Sequence, residues 1–296
     1  MVALMRHALV FGASGQIGRP LLARLSCAGW RVTALSRDPQ PDRPGLAWLQ
    51  GDFSQMPALP GQVDVLFSAG PLDAFANWYA DSTIACARVV AFGSTSVDTK
   101  QGSADAHERD VARRLREGEA GVFEAARQRG AAATILRPTL VYGAGRDATL
   151  TRIAMLARQW GRFPLPRNAR GLRQPVHVED LAQAALDSVA GPATHGRAYA
   201  LPGGEALPYR DMVARVLATL QPPPRLVELP SPLFTAALFV AQLTGRGTGL
   251  GEAAVRRMRS NLVFDIAPAA RDFGYAPRAF NPTADMFDPR PAGEEG

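Results

Sequence analysis

Lysine is almost missing from this chain of 296 residues. Lys100 stands alone among 33 lysines and arginines, so the other 32 are arginines. A bias this complete is of the kind that genome composition imposes. The net charge of +6 therefore says little about partners. A nucleic-acid binder gathers its cations or interleaves them with aromatics. The densest group here, Arg109 to Arg116, is interspersed with Glu108, Asp110, Glu117 and Glu119. That is the pattern of a solvated helix face, not a nucleic-acid footprint. Cysteine is equally scarce. Cys27 and Cys86 make no disulfide framework, which points to a reducing compartment. Long hydrophobic runs are missing too. Met1–Phe11 is too short for a signal peptide or a span, and Pro232–Leu243 is only about a dozen residues, the length of a core helix. These absences predict a cytoplasmic protein with no membrane span. The four histidines, 7, 107, 177 and 195, have no metal-ligand spacing, so no metal site is expected. Neither a GxSxG elbow nor a GxxxxGK[ST] loop occurs, which disfavours an α/β-hydrolase and a P-loop NTPase.

What is present is an alternation of short apolar runs and helical spacing. With 47% apolar residues the chain can bury a sizeable core. His7–Phe11, Arg31–Ser36, Leu46–Leu49, Val63–Ser68, Arg88–Phe92 and Ala133–Leu136 read as strands. Ile17–Ala28 and Glu108–Arg129 read as helices, each closed by a glycine, Gly29 and Gly130. Such βαβ alternation predicts a doubly wound parallel α/β sheet. Residues 1–145 would form this core. Residues 146–287 would complete the sheet and build a small C-terminal α/β lobe. In that part Leu150–Trp160, Glu179–Val189 and Tyr209–Leu220 have helical spacing. The tail from Asp288 reads as disordered.

Gly12-Ala-Ser-Gly15-Gln-Ile-Gly18 lies between the first strand and the first helix. Three glycines there allow a tight turn and close backbone approach to a pyrophosphate, and the helix N-terminus faces the anion. Ser14, Gln16 and Ile17 complete the turn. The second strand ends at Ser36-Arg37, where an NAD site usually carries an acid. An acid would repel a 2′-phosphate; a serine and an arginine would accept one. The pair therefore predicts NADP, with NAD as the alternative.

The GxxGxxG spacing resembles the short-chain dehydrogenase/reductase superfamily, in particular its extended and atypical, epimerase/dehydratase-like branches. Further segments carry the resemblance to about residue 282. Asp52-Phe53 follows the third strand, where the family contacts adenine. Ala69-Gly70 ends the fourth, beside the cofactor. Arg137-Pro138-Thr139-Leu-Val-Tyr142-Gly143 is similar to the family's RPxxxYG segment near the nicotinamide. Val176-His-Val-Glu-Asp-Leu-Ala182 and Asp272-Phe-Gly-Tyr-Ala-Pro277 are similar to its later segments. The resemblance implies a Rossmann fold, a nicotinamide dinucleotide and a polar substrate. It also implies a possible homodimer through the long helix Glu108–Arg129.

The family's redox pair, a tyrosine with a lysine four residues on, has no match. In the register set by Glu119 those places hold Val111 and Leu115, and no tyrosine lies between Tyr79 and Tyr142. The family's hydroxyl does have a match in Ser94-Thr95-Ser96, with Thr95 the best candidate. Lys100 follows five residues later. Unlike an arginine, a lysine in a cleft can lose its proton usefully. Thr95, Lys100 and Ser94 are thus the candidate catalytic residues. Arg173 and Arg146 are the candidate substrate contacts, suited to a phosphate. Three functions remain open: an atypical enzyme acting on a nucleotide-sugar, an NADPH-dependent reductase of another small molecule, and a cofactor-binding sensor or assembly protein without turnover.

Overall fold

Strands buried on both faces need helices above and below, and the chain supplies both sets. The structure is a computed structural model that describes residues 5–236 and 252–288. Seven strands form one parallel sheet: β1 (His7–Phe11), β2 (Arg31–Ser36), β3 (Leu46–Gln50), β4 (Val65–Ser68), β5 (Arg88–Phe92), β6 (Ala132–Pro138) and, after four further short strands, β11 (Arg197–Leu201). Their order is β11-β6-β5-β4-β1-β2-β3. The order reverses between β1 and β4, and that switch point is where a doubly wound sheet opens its ligand crevice.

Helices α1 (Gly18–Cys27) and α6 (Val178–Ala190) cover one face, packed over Val10, Val32 and Phe67. Helices α2 (Leu72–Asp81) and α4 (Ala106–Gln128) cover the other, over Leu9, Leu66 and Ile135. The sequence did not announce α2, although Leu72, Phe75, Ala76 and Tyr79 form its buried stripe. A single turn, α3 (Ser96–Thr99), follows β5. Asp105 caps α4 by accepting the N–H groups of His107 and Glu108. Two charged groups fix the layers. Glu119 of α4 is gripped bidentately by Arg137 of β6. Arg88 is buried; it donates to Ser188 O at the C-terminal end of α6, to Ala132 O and to the hydroxyls of Thr134 and Thr194. A helix C-terminus favours a cation there.

A third apolar cluster belongs to the second half. It joins α5 (Leu150–Trp160), strand β8 (Arg162–Pro166) and α7 (Tyr209–Thr219), with Met258, Phe280 and Phe287. Short strands β7 (Val141–Tyr142), β9 (Leu172–Arg173), β10 (Val176–His177) and β12 (Leu207–Pro208) stitch it to the sheet, and β13 (Arg225–Leu229) pairs with β8. Most of the expected helix at Leu233–Leu243, and the tail from 289 on, lie outside the described residues.

Candidate active site

The glycine turn sits at the switch point, against the ends of β1 and β4. A Cβ on Gly12 would lie 2.7 Å from Ala69 C and from Gly70 N, and one on Gly18 would lie 2.2 Å from Gly12 O. Backbone packing this close excludes any side chain and leaves the first turn of α1 bare. No side chain caps that helix and its first turn holds no acid. Its leading N–H groups are therefore available to an anion. Two further atoms beside the turn, Gln16 Oε1 and Ser68 Oγ, are buried without a hydrogen-bond partner. Buried polar atoms rarely stay unpaired, so these fit a ligand that would bond them. The turn thus has the shape and chemistry for a dinucleotide.

The other expected cofactor residues fall around it. Ser36 Oγ donates to Ser14 Oγ at 3.2 Å, joining the end of β2 to the turn. Arg37 is exposed just beyond. Asp52 uses Oδ1 to accept from Ser54 N, Ser54 Oγ and Gln55 N, and these bonds hold its carboxyl below the usual range. Phe53 stacks on Phe11 with ring centroids 5.3 Å apart, at the edge of an aromatic group with Phe75 and Trp78. Ala69 N donates to Phe11 O.

Beyond the ends of β5 and β6 the crevice deepens into a cavity of about 350 Å³. Ser94, Thr95 and Lys100 line it together, as does Thr139. The backbone explains the convergence. Thr95 N and Oγ1 both donate to Pro138 O at 3.2 Å, so the end of β5 is tied to the end of β6. The single turn α3 then swings Lys100 back to the wall. Burial pushes the Lys100 amine below its ordinary pKa, with the Arg257 charge adding to the shift and Asp105 opposing it. No residue of α4 lines the cavity, so Val111 and Leu115 contribute nothing to its wall.

Neither tyrosine nearest in sequence reaches this place. Tyr142 is buried edge-on between His177 and Phe280, and burial pushes its pKa up to about 12. Tyr79 lies stacked on Phe75 under α2, its hydroxyl beside Cys86 Sγ. His177 has a structural place: its Nδ1 accepts Glu179 N–H and caps α6.

The two expected substrate arginines part company. Arg173 does line the cavity, but its guanidinium donates to the carbonyls of Leu172, Ser260 and Arg257 and lies over the Tyr209 ring. It fastens the segment 257–264 onto β9 and so builds the wall. Arg146 does not line this cavity; its Nη1 donates to Ser14 O in the glycine turn at 2.9 Å. Residues that no sequence motif singled out complete the wall: Arg152 on α5, Tyr209 at the start of α7, and Arg257, Met258, Leu262 and Phe264 from the late segment. Arg257 pairs with Glu108 at the start of α4. The cations arrive through tertiary docking, which leaves no local pattern. Among the described residues lining the cavity there is no aspartate or glutamate.

No family model matches the chain. It is 27% identical over 315 residues to a 2-alkyl-3-oxoalkanoate reductase of Stenotrophomonas maltophilia, a match covering 91% of this chain and 94% of the relative. Among solved structures it is similar to an epimerase of Methanothermobacter thermautotrophicus (TM-score 0.67, 14% identity, 96% of this chain and 90% of that one). It is also similar to the Bordetella bronchiseptica enzyme WbmF in complex with NAD+ and UDP (TM-score 0.63, 16% identity, 97% and 91%). The parallel sheet, the glycine turn at its switch point and the likeness to the reductase over 91% of the sequence agree with the resemblance to the short-chain dehydrogenase/reductase superfamily, and the solved structures share the chain's Rossmann-type fold.

Proposed function

We propose that the chain is an NADP(H)-dependent reductase of a small carbonyl compound that carries an anionic group on an apolar body. The cavity chemistry carries this reading. Lys100, Arg152 and Arg257 share the wall with Leu140, Ile153, Leu156, Phe163 and Leu262, and among the described residues no carboxylate lines it. Arginines suit a carboxylate or phosphate, and the aliphatic side chains suit an alkyl group. The reductase relative, whose name specifies a 3-oxoalkanoate, agrees with that chemistry. Arg37 beside Ser36 supports NADP over NAD.

The dinucleotide, bound at the glycine turn, supplies the hydride. Thr95 turns its hydroxyl from Pro138 O to the substrate oxygen and holds it. Lys100 gives that oxygen its proton as the carbonyl carbon becomes saturated, and solvent returns the proton to the amine. Burial and the Arg257 charge weaken the hold of the amine on its proton, which makes the ammonium a stronger acid. Lys100→Met should lower turnover at least about a hundredfold and leave NADPH affinity within about twofold. The assay is NADPH oxidation with a series of 3-oxo acids, beside calorimetric titration of NADPH. Unchanged turnover would remove Lys100 from the chemistry. A second reading, a nucleotide-sugar substrate, draws on the likeness to WbmF, whose structure holds UDP. Conversion of UDP-glucose with no reaction of the oxo acids would favour it. Dinucleotide binding with no turnover of either would favour the sensor.

A further inference from the structure

Arg146 comes from the loop 143–149 after β7, yet its guanidinium lies over the turn that follows β1. Its Nη1 donates to Ser14 O at 2.9 Å, and Arg19 Nε donates to the same carbonyl at 3.3 Å. Arg43, in the loop after β2, stands within electrostatic reach, since it and Arg146 both add to the lowering of the Arg19 pKa that burial begins. Arg146 and Arg19, from separate segments, therefore share one carbonyl at one end of the glycine turn, with the Arg43 charge in reach. That end is defined by Ser14, whose hydroxyl bonds Ser36 at the end of β2, where a doubly wound sheet reads the ribose. Like charges brought together repel, and an anion among them turns the repulsion into shared charge-assisted hydrogen bonds.

Bonds at its two ends tether the loop that presents Arg146. Gly143 and Gly145 take φ of 109° and 63°. Gly145 N donates to Met286 O at 2.9 Å. Asp147, the next residue, accepts Thr149 N at 3.0 Å and the Thr151 hydroxyl at 2.6 Å, which anchors the start of α5. Ala148, Thr149, Arg152 and Ile153 then line the substrate cavity. One short stretch of chain therefore joins the ribose end of the turn to the cavity wall.

We propose that Arg146 is a clamp across the crevice: it takes the 2′-phosphate of NADP(H) together with Arg19 and Arg43, and so couples cofactor binding to the ordering of the cavity wall at 146–156. This rests on the reading of the glycine turn as a dinucleotide site. It implies that cofactor binds before substrate.

The test uses the full chain and two readouts. Calorimetric titrations with NADPH and NADH compare wild type with Arg146→Gln and Arg43→Gln. Hydrogen exchange of the amides, with and without NADPH, reports the wall. Wild type should prefer NADPH. Arg146→Gln should lose about tenfold or more in NADPH affinity and less than about twofold in NADH affinity. NADPH should slow exchange over 146–156 in wild type but not in Arg146→Gln, while the glycine turn stays protected in both. Arg43→Gln should show the NADPH-selective loss yet keep the protection of 146–156. Unchanged affinities in Arg146→Gln, equal losses for both dinucleotides, or protection of 146–156 that survives the substitution would each overturn the clamp. Binding of neither dinucleotide by wild type is a different result: it would overturn the dinucleotide reading, and the clamp with it.

Discussion

The dinucleotide crevice and the substrate cavity adjoin, yet they are built by opposite means. The crevice is made of backbone. Its shape follows from three glycines, two strand ends and a bare helix N-terminus, all within short stretches of sequence. The cavity is made of side chains delivered by six or more separate segments, from Ser94 to Phe264. A backbone site tolerates almost no substitution, because its contacts cannot move aside. A side-chain site can change its chemistry one residue at a time while the sheet beneath it stands. The difference lets a chain keep a glycine turn while the side chains over the cavity change.

The sharpest way to break this division is a substitution in the turn. Gly18→Val sets a Cβ 2.2 Å from Gly12 O and 2.6 Å from Ala13 Cα. Neither neighbour is a flexible side-chain end, so the turn must open. We expect a loss of dinucleotide affinity beyond about a hundredfold, and about 3 kcal/mol of stability with it. Titration and thermal unfolding check both. Retained affinity would mean that the turn does not grip the cofactor.

A smaller effect is expected from the same kind of substitution in the other region. Gly171 lies where the segment 257–264 docks on β9, and a Cβ there would meet Ser260 O at 2.3 Å. Gly171→Ala should displace the wall that carries Arg257 and Leu262. Substrate KM should rise at least about tenfold, while NADH affinity, which does not involve the Arg146 clamp, stays within about twofold. Equal losses for substrate and NADH would show that the two sites are one mechanical unit, against the division drawn above.

The same contrast explains what could be foreseen. β1, β2 and β5, Gly29 and Gly130, and the long helix are written in local rules of periodicity and backbone freedom, and the structure has them where those rules put them. Helix α2 was missed because Pro71 precedes it and its Phe75, Trp78 and Tyr79 read equally well as loop aromatics, although the spacing of Leu72, Phe75, Ala76 and Tyr79 carried the signal. Thr95 and Lys100 could be singled out because one is a motif residue and the other the sole lysine. Arg152, Tyr209 and Arg257 could not, since each belongs to a different element and only folding brings them together. Arg146 and Arg173 were visible as arginines, but a sequence gives no direction to a side chain. One turned to the glycine loop and the other into backbone carbonyls.

The smallest predicted effect tests whether the cavity tunes its own acid. Burial lowers the Lys100 pKa most; the Arg257 charge adds to that lowering and Asp105 opposes it. Reduction needs the ammonium form, so the rate should fall as pH rises through the Lys100 pKa, giving an alkaline limb below the ordinary lysine value. Removing the Arg257 charge makes the ammonium easier to keep. Glu108, which pairs with Arg257 and also accepts the Ser103 hydroxyl at 2.7 Å, would then add its negative charge in the same direction. Arg257→Met should therefore move the limb to higher pH, by about one unit or less. Arg152→Met is the contrast, because Arg152 is not among the charges that shift Lys100. It should raise KM for an anionic substrate and leave the limb where it is. A limb that moves equally in both variants would belong to substrate binding, and the proton would then have another source than Lys100.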